Sequence, residues 1–474
     1  MAKNSSHKSV IAALWLCNLF SPMLGSGINA MLPAIGTDLD AAALSLSMTL
    51  VLYSLGNVIF NVLGGRFGDL WGMRRVLLAS LLLYLVSAVL VGAAQSIVFL
   101  LFLRFMQGVT SAVISCCCTA IGISITAPEK RGRILGILLS AVYLGLTLGP
   151  VLGGATATAI GWRWFFLLML VPGLAAWIVL KLRLEGHECT ACGESMDWLG
   201  AFLLTAGLSL FALGIGIPGR PAISAGMSLA GIVLTYVFIA QQKKTRWPIV
   251  DLSLFGKAEG FGLGLAAMLI NYGSTMGLVF FFSLYLQLVH GLSPFWAGVA
   301  LMAQSLVQCV LSPVCGRLAD TFGAEKVSSL GMTTCGVSIL CMAALGRETP
   351  VAIFYVLLVL LGAGMAMFAA PNMSATLKNV EKSRIAVASG ICGSMRTLGA
   401  LLSTVMASLS VSVYLGGEAA GPETIPQFLN AMRSCMIVFG ILNLSGLSIS
   451  LRRLRYAGNK PADTRPGDDA SHTG

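Results

Sequence analysis

Long apolar runs, separated by short polar segments, make up most of this chain of 474 residues. A helix that crosses a bilayer needs about 20 mostly apolar residues. Runs of this kind lie near residues 10–33, 45–64, 75–95, 98–124, 133–157, 163–183, 197–217, 222–241, 260–289, 294–315, 327–345, 351–375, 384–413 and 428–450. They predict an all-α integral membrane protein with fourteen transmembrane helices, arranged along the chain as six, two and six.

The composition supports a membrane location. Hydrophobic residues make up 57% of the chain and charged residues only 10%, whereas soluble proteins carry about 25% charged residues. The mean hydropathy is +0.87. The net charge of +11 lies in short loops rather than in a basic arm, so we expect no nucleic-acid partner. Most of the 12 cysteines lie within apolar runs, where a thiol behaves as a small apolar group and predicts no disulfide framework.

A short charged loop between two apolar runs occurs once in each half of the chain. Residues 65–75 and residues 316–326 share glycine, arginine, aspartate and glycine at one constant offset. Two copies predict duplicated halves, which is a transporter architecture, whereas a single copy would favour a simple charged turn. We therefore predict a conformational latch between the halves on one membrane face, in which Asp69 approaches an arginine or a helix N-terminus. The predicted latch residues are Gly65, Arg66, Asp69, Gly72, Arg74, Arg75, Gly316, Arg317, Asp320, Gly323 and Lys326.

The distribution of positive charge predicts the orientation. With the N-terminus in the cytoplasm, 24 lysines and arginines lie in inside segments and only three, Arg163, Arg220 and Arg347, lie in outside loops. Because cytoplasmic loops carry the excess of lysine and arginine, we expect a multi-pass protein of the cell membrane with both termini in the cytoplasm.

The same pattern predicts six consecutive parts. They are a cytoplasmic N-terminus (1–9), an N-terminal six-helix bundle (10–185), a linker with an inserted two-helix hairpin (186–242), a cytoplasmic linker (243–259), a C-terminal six-helix bundle (260–451) and a disordered cytoplasmic tail (452–474). The inserted hairpin is expected to pack outside the contact between the two bundles.

Three further segments narrow the family. The first segment, residues 103–108, opens the fourth span and contains Arg104. The second is the series of glycines with a proline in the fifth span, and the third, residues 248–255, precedes the ninth span. Together with the duplicated latch, these segments resemble the major facilitator superfamily, and most of all its fourteen-span branch of drug:proton antiporters. The resemblance implies two pseudo-symmetric six-helix halves with a two-helix central insertion.

The resemblance also implies a function. Similar proteins are secondary active transporters that export small organic or drug-like compounds by alternating access, with protons as the coupling ion. In such proteins the glycine and proline series of the fifth span marks exporters, although small residues at these positions also predict close helix packing. The alternative is a uniporter or importer of a small metabolite, without carboxylate-based proton coupling. The helix-packing motif consists of Gly136, Gly145, Gly149, Pro150, Gly153 and Gly154.

The first span departs from the family pattern. Fourteen-span relatives carry an aspartate there, at the position that Leu24 occupies in this chain. None of the 19 acidic residues lies in the middle third of a predicted span, so no carboxylate is placed to carry a proton at membrane depth. The remaining coupling candidates are Asp69 and Arg104. A buried arginine costs at least ~2.5 kcal/mol, and the other interpretation of Arg104 is a structural donor to backbone carbonyls of a neighbouring helix.

The predicted substrate cavity is polar but uncharged, with methionine and phenylalanine supplying adaptable apolar surface. Such a cavity favours a neutral or amphipathic organic compound over a dication. The candidate lining residues are Ser26, Asn29, Gln107, Ser111, Tyr143, Asn271, Tyr272, Thr275, Gln304 and Asn372.

No cofactor is expected. Cys189 and Cys192 with the nearby His187 would supply at most three ligands, whereas structural zinc takes four, so a solvated loop is favoured over a metal site. The chain lacks a G-x-x-x-x-G-K-[S/T] segment, which argues against direct use of ATP. The scarcity of intramembrane acidic and histidine residues argues against a membrane enzyme. We expect a monomeric carrier whose partners are its small-molecule substrate, the lipid bilayer and, by resemblance, protons.

Overall fold

A computed structural model describes residues 2–186, 189, 191–215, 221–257, 260–415 and 422–458 of the chain. Within these residues the regular elements are helices, and α-helices form all of the long ones. They are α1 (Ala2–Asp38), α2 (Ala43–Trp71), α3 (Met73–Gly92), α4 (Ile97–Ser124), α5 (Arg131–Ala159), α6 (Trp162–Leu168), α7 (Leu170–Arg183), α8 (Trp198–Ile215), α9 (Pro221–Gln242), α10 (Leu254–Lys257), α11 (Phe261–Thr275), α12 (Leu278–Leu288), α13 (Pro294–Phe322), α14 (Ala324–Met342), α15 (Val351–Leu377), α16 (Ile385–Leu415) and α17 (Ile425–Gly458).

Twelve helical segments of the described chain are long and apolar enough to cross a membrane, with α6–α7 and α11–α12 each forming one segment. The sequence predicted fourteen spans. The two predicted spans outside the twelve correspond to α8, which has 18 residues, and to α14, which has 19. Serine and threonine side chains lower the hydropathy of α14, and the described part of α8 ends at Ile215. Some of the predictions concern residues outside the described ranges, namely His187, Arg220 and residues 459–474.

The helices form two groups joined at a few contacts. In the first group α1 packs against α5 and α2 packs against α4, while in the second α14 packs against α15 and α17, and α11 packs against α16. The main contacts between the groups join α2 to α16 and α5 to α13. The pair α8–α9 packs on itself and against α2, and none of its residues lines the central cavity described below.

Glycines of the fifth predicted span form the groove that receives α1. A Cβ added at Gly149 would lie 2.6 Å from the carbonyl oxygen of Met23, and one at Gly153 would lie 2.5 Å from that of Gly27. Gly145 meets the carbonyl oxygen of Leu19 in the same way. These three glycines recur every four residues and share one face of α5, so the backbones of α1 and α5 are in direct contact, as small residues permit in lipid.

The span formed by α11 and α12 is broken at Met276 and Gly277. The N–H of Gly277 donates to Ser403 Oγ on α16 at 2.8 Å, and a Cβ at Gly277 would clash with the backbone of Ser403. A broken helix in a membrane protein requires such internal partners for its backbone groups. Met276 and nearby Tyr272 line the central cavity, so the break lies at the wall of the cavity.

The charged segment of residues 65–75, predicted as a loop, is mostly helical. Helix α2 continues to Trp71 and α3 begins at Met73, so the turn consists of Gly72 alone, which has φ 89°. The second copy is the same, with Gly323 at φ 97° between α13 and α14. Glycine at these two positions accommodates a positive φ without steric cost.

Adjacent glycines on α5 provide a matched test of the α1–α5 groove. Gly153→Ala should lower the thermal unfolding midpoint of the purified protein, because its Cβ meets the backbone of Gly27 and overpacking costs about 1–3 kcal/mol. Gly154→Ala is the control, because its Cβ would lie 3.7 Å from Ala30 Cβ and alanine favours the helix by up to about 1 kcal/mol. Equal midpoints for the two variants would contradict the groove.

Candidate substrate cavity and latch

Aspartates of the two latch segments each contact the N-terminus of a helix in the opposite half. Asp69 Oδ2 accepts the N–H of Val387 in the first turn of α16 at 3.4 Å. Asp320 accepts the N–H of Gly132 at 2.7 Å and that of Arg133 at 2.8 Å, both in the first turn of α5. Free N–H groups and the helix dipole make these ends favourable for a carboxylate. Asp69 thus approaches a helix N-terminus as expected, and Asp320 of the second copy makes the corresponding contact with two N–H groups at shorter distances.

Glycines let the helix ends approach closely at these contacts. A Cβ at Gly65 would lie 2.5 Å from the carbonyl oxygen of Ala386, and one at Gly132 would lie 2.5 Å from that of Gly316. Gly136 meets the carbonyl oxygen of Ser312 on α13 in the same way. This residue of the helix-packing motif therefore contacts the opposite half, whereas Gly145, Gly149 and Gly153 face α1. We refer to the end of the bundle that carries these contacts as the latch end.

A glutamate of the linker before α8 forms ion pairs with both halves. Arg66 Nη2 of α2 lies 2.6 Å from Glu194 Oε2. Arg384, just before α16, donates from Nη1 to Oε2 at 3.1 Å and from Nη2 to Oε1 at 3.0 Å. The side chain of Arg66 is 0% exposed, and Glu194 is its ion-pair partner among the described residues. The linker is held further by the N–H of Ala191, which donates to the carbonyl oxygen of Asp69 at 3.0 Å.

Two arginines hold Glu194 in its ionised form. Burial raises the pKa of the Glu194 carboxyl, but the hydrogen bonds and positive charges of Arg66 and Arg384 outweigh burial, and the pKa lies below the usual glutamate value. The contribution of this carboxylate to stability is therefore complete at neutral pH, above its unperturbed pKa. It is lost only as the pH falls through the lowered pKa.

The remaining latch residues differ between the two copies. Arg74 donates to the carbonyl oxygen of Lys181 at 2.8 Å, within the first half. Arg75, Arg317 and Lys326 are exposed. The second copy thus repeats the aspartate contact and the glycine turn, but Arg317 has no counterpart of the buried Arg66–Glu194 pair in the described part of the chain.

A cavity of about 440 Å³ lies between the two halves. Residues of α1, α2, α4 and α5 line one side, and residues of α11 and α16 with Met276 line the other. The halves are in contact at the latch end, whereas the lining residues Asn29 and Leu146, towards the opposite end, are exposed. The cavity is therefore closed at the latch end and accessible from the opposite end.

Five of the ten predicted cavity residues line this space, namely Ser26, Asn29, Ser111, Tyr143 and Tyr272. The other five do not line it. Gln107 accepts from Arg104 at 2.9 Å, Asn372 donates to the carbonyl oxygen of Gly264 at 3.1 Å, and Gln304 contacts the Met365 sulfur. Asn271 and Thr275 are buried and adjacent on α11, where the Thr275 hydroxyl donates to the Asn271 carbonyl.

Arg104 lines the cavity wall, but its guanidinium is occupied. It donates to Gln107 Oε1 at 2.9 Å and to the carbonyl oxygens of Gly25 at 3.4 Å and Thr49 at 3.5 Å. Its Cζ also lies 4.5 Å from the centre of the Tyr53 ring. These contacts agree with the interpretation of Arg104 as a donor to carbonyls of neighbouring helices. Leu24, by contrast, is fully buried in the core and is not part of the lining.

Arg396 of α16 is half-buried and also lines the cavity. It also lines a smaller pocket of about 20 Å³ on the side of the latch end. Tyr143 and Tyr272, one from each half, line the same cavity as Arg396. Arg396 is therefore at the floor of the cavity, where the halves meet.

Three important residues were not predicted as site residues. Glu194 and Arg384 fell in linkers, where a charge is ordinarily solvated, and Arg396 lacked a motif. The available signal for Arg396 was its position within a long apolar run, because a charged side chain in a membrane span is costly and usually has a function. No comparable signal in the sequence distinguishes Glu194 from other linker acids.

Cys189 and Cys192 are joined by a disulfide bond. The described residues contain no group of three or more histidine, cysteine or acidic side chains that could hold a metal ion. His187, the third ligand considered from the sequence, lies outside the described residues. The pair lies in the linker that also carries Glu194.

Comparison with known proteins identifies the relatives of this chain. The sequence profile of the Major Facilitator Superfamily matches residues 14–269 and 263–471. The Multidrug resistance protein B homolog of Mycobacterium tuberculosis is 26% identical over 376 residues, which cover 78% of this chain and 69% of that protein. The Riboflavin transporter RibZ of Clostridioides difficile is 24% identical over 390 residues, or 82% of this chain and 84% of that protein.

A solved structure supports the fold. The crystal structure of the human organic anion transporter MFSD10 (TETRAN) superposes with a TM-score of 0.70 over 94% of this chain and 99% of that one. The sequence identity is 17%, so the likeness concerns the fold alone.

Replacement of Glu194 tests the linker contact. Glu194→Gln removes the negative charge that pairs with Arg66 and Arg384, and a hydrogen bond to a charged group contributes about 2 kcal/mol. We expect a shift of about 30-fold in population away from the conformation closed at the latch end. The measurement is the distance distribution between spin labels at exposed positions 75 and 326 in a background without other cysteines. Glu129→Gln, which changes an exposed acid, is the control, and identical distributions for both variants would contradict the prediction.

Proposed function

This chain belongs to the Major Facilitator Superfamily, and on that premise we propose that it exports small organic, drug-like compounds across the cell membrane by alternating access. The superfamily consists of transporters rather than enzymes. The observation that carries the proposal is the drug-sized cavity between two halves, closed at one end by polar contacts. Ligand cavities of drug-sized compounds span about 300–1,000 Å³.

Export is supported by two observations. One relative, which aligns with most of this chain, is named a multidrug resistance protein. A transporter confers resistance by removing the compound from the cell. The glycine series of α5, which resembles that of exporters, packs α1 and α13 closely. A metabolite uniporter remains the second candidate, favoured by the similarity to a riboflavin transporter and by the uncharged residue at position 24.

The proposed topology has fourteen spans and both termini in the cytoplasm. Helices α8 and α14 complete the six, two, six arrangement, and the 24-to-3 distribution of lysine and arginine supports the orientation. The six predicted domains keep their boundaries in this proposal, with the α8–α9 hairpin at the periphery beside α2. The latch end then faces the cytoplasm, and the cavity opens to the outside.

The latch contacts supply the two-state element that alternating access requires. The Asp69 and Asp320 contacts and the Glu194 ion pairs all cross between halves at the latch end. Opening towards the cytoplasm must break them together, and each helix-end contact is worth only about 0.3–2 kcal/mol. The latch is therefore stable enough to populate one state and weak enough to open.

Coupling to protons would have to use groups other than a cavity carboxylate. Within the described residues the cavity lining contains no aspartate or glutamate. Glu194 stays ionised at neutral pH because its pKa is lowered. Asp69, whose protonation would weaken its contact with α16, remains our coupling candidate, with Arg104 as a fixed charge near the cavity. We propose that the carrier works as a monomer.

Transport into sealed inverted vesicles tests the proposed function. We expect uptake of at least one of three probes: chloramphenicol, which is neutral, rhodamine 123, which is cationic, and fluorescein, which is anionic. A carrier that exchanges one proton accumulates its substrate up to about tenfold per pH unit, and we expect a smaller effect here because no carboxylate lines the cavity. Vesicles without the protein are the control. Uptake of none of the probes, with the protein folded and inserted, would refute the exporter.

The two latch aspartates should contribute to turnover rather than to folding. Asp69→Asn should lower the transport rate several-fold, because the charge opposite the N-terminus of α16 is lost, at a cost of about 1 kcal/mol. Asp320→Asn should have an effect at least as large, since Asp320 accepts two N–H groups at the start of α5. The thermal unfolding midpoints should change little. Normal turnover of both variants would show that the latch contacts do not control the transport cycle.

A further inference from the structure

We propose that Arg396 binds an anionic group of the substrate, so that the transported compounds are amphipathic organic acids. This inference rests on the proposed function of the cavity and specifies its substrate class. It departs from the expectation of a neutral compound, which followed from the polar residues of the sequence alone.

The charge of the cavity lining is positive. Arg104 and Arg396 both line it, and within the described chain no acidic side chain does so. A charge buried away from water is costly unless it is paired. The ion pairs seen in the described part of the chain join Glu194 to Arg66 and Arg384, and Asp38 to Arg163, and none of these residues belongs to the cavity.

The two cavity arginines are not equivalent. Arg104 is fully buried, and its donors are directed to the side chain of Gln107 and to two backbone carbonyls. Arg396 is half-buried, and no side chain or backbone carbonyl in the described residues accepts a hydrogen bond from it. Arg104 therefore holds α1, α2 and α4 together, while the donors of Arg396 are available to a ligand.

The surroundings of Arg396 suit a carboxylate or a sulfonate. A guanidinium presents paired donors that match such groups. Tyr143 and Tyr272 also line the cavity, and a tyrosine hydroxyl can donate a hydrogen bond to an anion. An anion at this position would thus contact the N-terminal half through Tyr143 and the C-terminal half through Arg396 and Tyr272.

The rest of the cavity suits an apolar body. Leu50, Ile114, Leu139, Val142, Leu146 and Met276 contribute to its lining. Burial of such surface supplies most of the affinity for a drug-sized ligand, and the few polar groups determine its orientation. The expected substrate therefore has an apolar or aromatic body of drug-like size and one acidic group directed towards the floor of the cavity.

Two dyes of opposite charge provide the test. Fluorescein and rhodamine 123 share a xanthene ring system but are anionic and cationic, respectively, at pH 8. We would measure the affinity of the purified protein for each dye by fluorescence anisotropy, and uptake of each into inverted vesicles. The variants are Arg396→Gln, which removes the charge, and Arg396→Lys, which keeps it. Arg347→Gln is the control, because Arg347 is exposed in a loop outside the cavity.

We expect the parent protein to bind fluorescein more tightly than rhodamine 123. Arg396→Gln should weaken fluorescein binding at least about tenfold, or about 1.4 kcal/mol, and leave rhodamine 123 binding unchanged or improved. Arg396→Lys should retain an intermediate affinity for fluorescein, because a lysine keeps the charge without the paired donors. Arg347→Gln should match the parent for both dyes.

Two results would overturn the inference. An equal loss of affinity for both dyes in a folded Arg396→Gln variant would show that Arg396 supports packing and does not bind an anion. Uptake of rhodamine 123 or chloramphenicol by a parent protein with no affinity for fluorescein would exclude an anionic substrate class while leaving the exporter function intact. Failure of the exporter itself is recognised separately, by the absence of uptake for all three probes.

Discussion

The placement of carboxylates against helix N-termini is the interaction on which the rest of this structure depends. Asp69 and Asp320 each bind backbone N–H groups at the start of a helix in the opposite half. A carboxylate there is stabilised by partial charges that belong to the backbone. Because each contact is modest in energy, the halves can separate again. A stronger, permanent joint would not permit alternating access.

Closure at the latch end determines which end of the cavity is open and which residues form its floor. Contacts of α2 with α16 and of α5 with α13 bring the halves together at one end and leave a space open at the other. The floor of this space is built from both halves, with Tyr143 on one side and Tyr272 and Arg396 on the other. A ligand bound at the floor would therefore contact both halves at once, which links its occupancy to their relative position.

The linker between the halves takes part in the closed state. Glu194 connects Arg66 of the first half to Arg384 of the second, and the same linker contacts Asp69 through Ala191. The linker therefore connects the two bundles in sequence and also contributes contacts that stabilise the closed latch end. Since the pKa of Glu194 is lowered, this contact persists across physiological pH.

The sequence by itself determined the all-helical membrane class and located the two repeated segments that carry Asp69 and Asp320, because hydropathy and local repeats are properties of short segments. It could not determine which way polar side chains face. Gln107, Asn271, Thr275, Gln304 and Asn372 have the polarity of cavity residues, yet they are buried elsewhere and do not line the cavity. The tertiary structure alone decided the pairing of Glu194 with Arg66 and Arg384, and the exposure of Arg396 to the cavity. Both depend on how helices distant in sequence pack together, and that packing leaves no periodic signal along the chain.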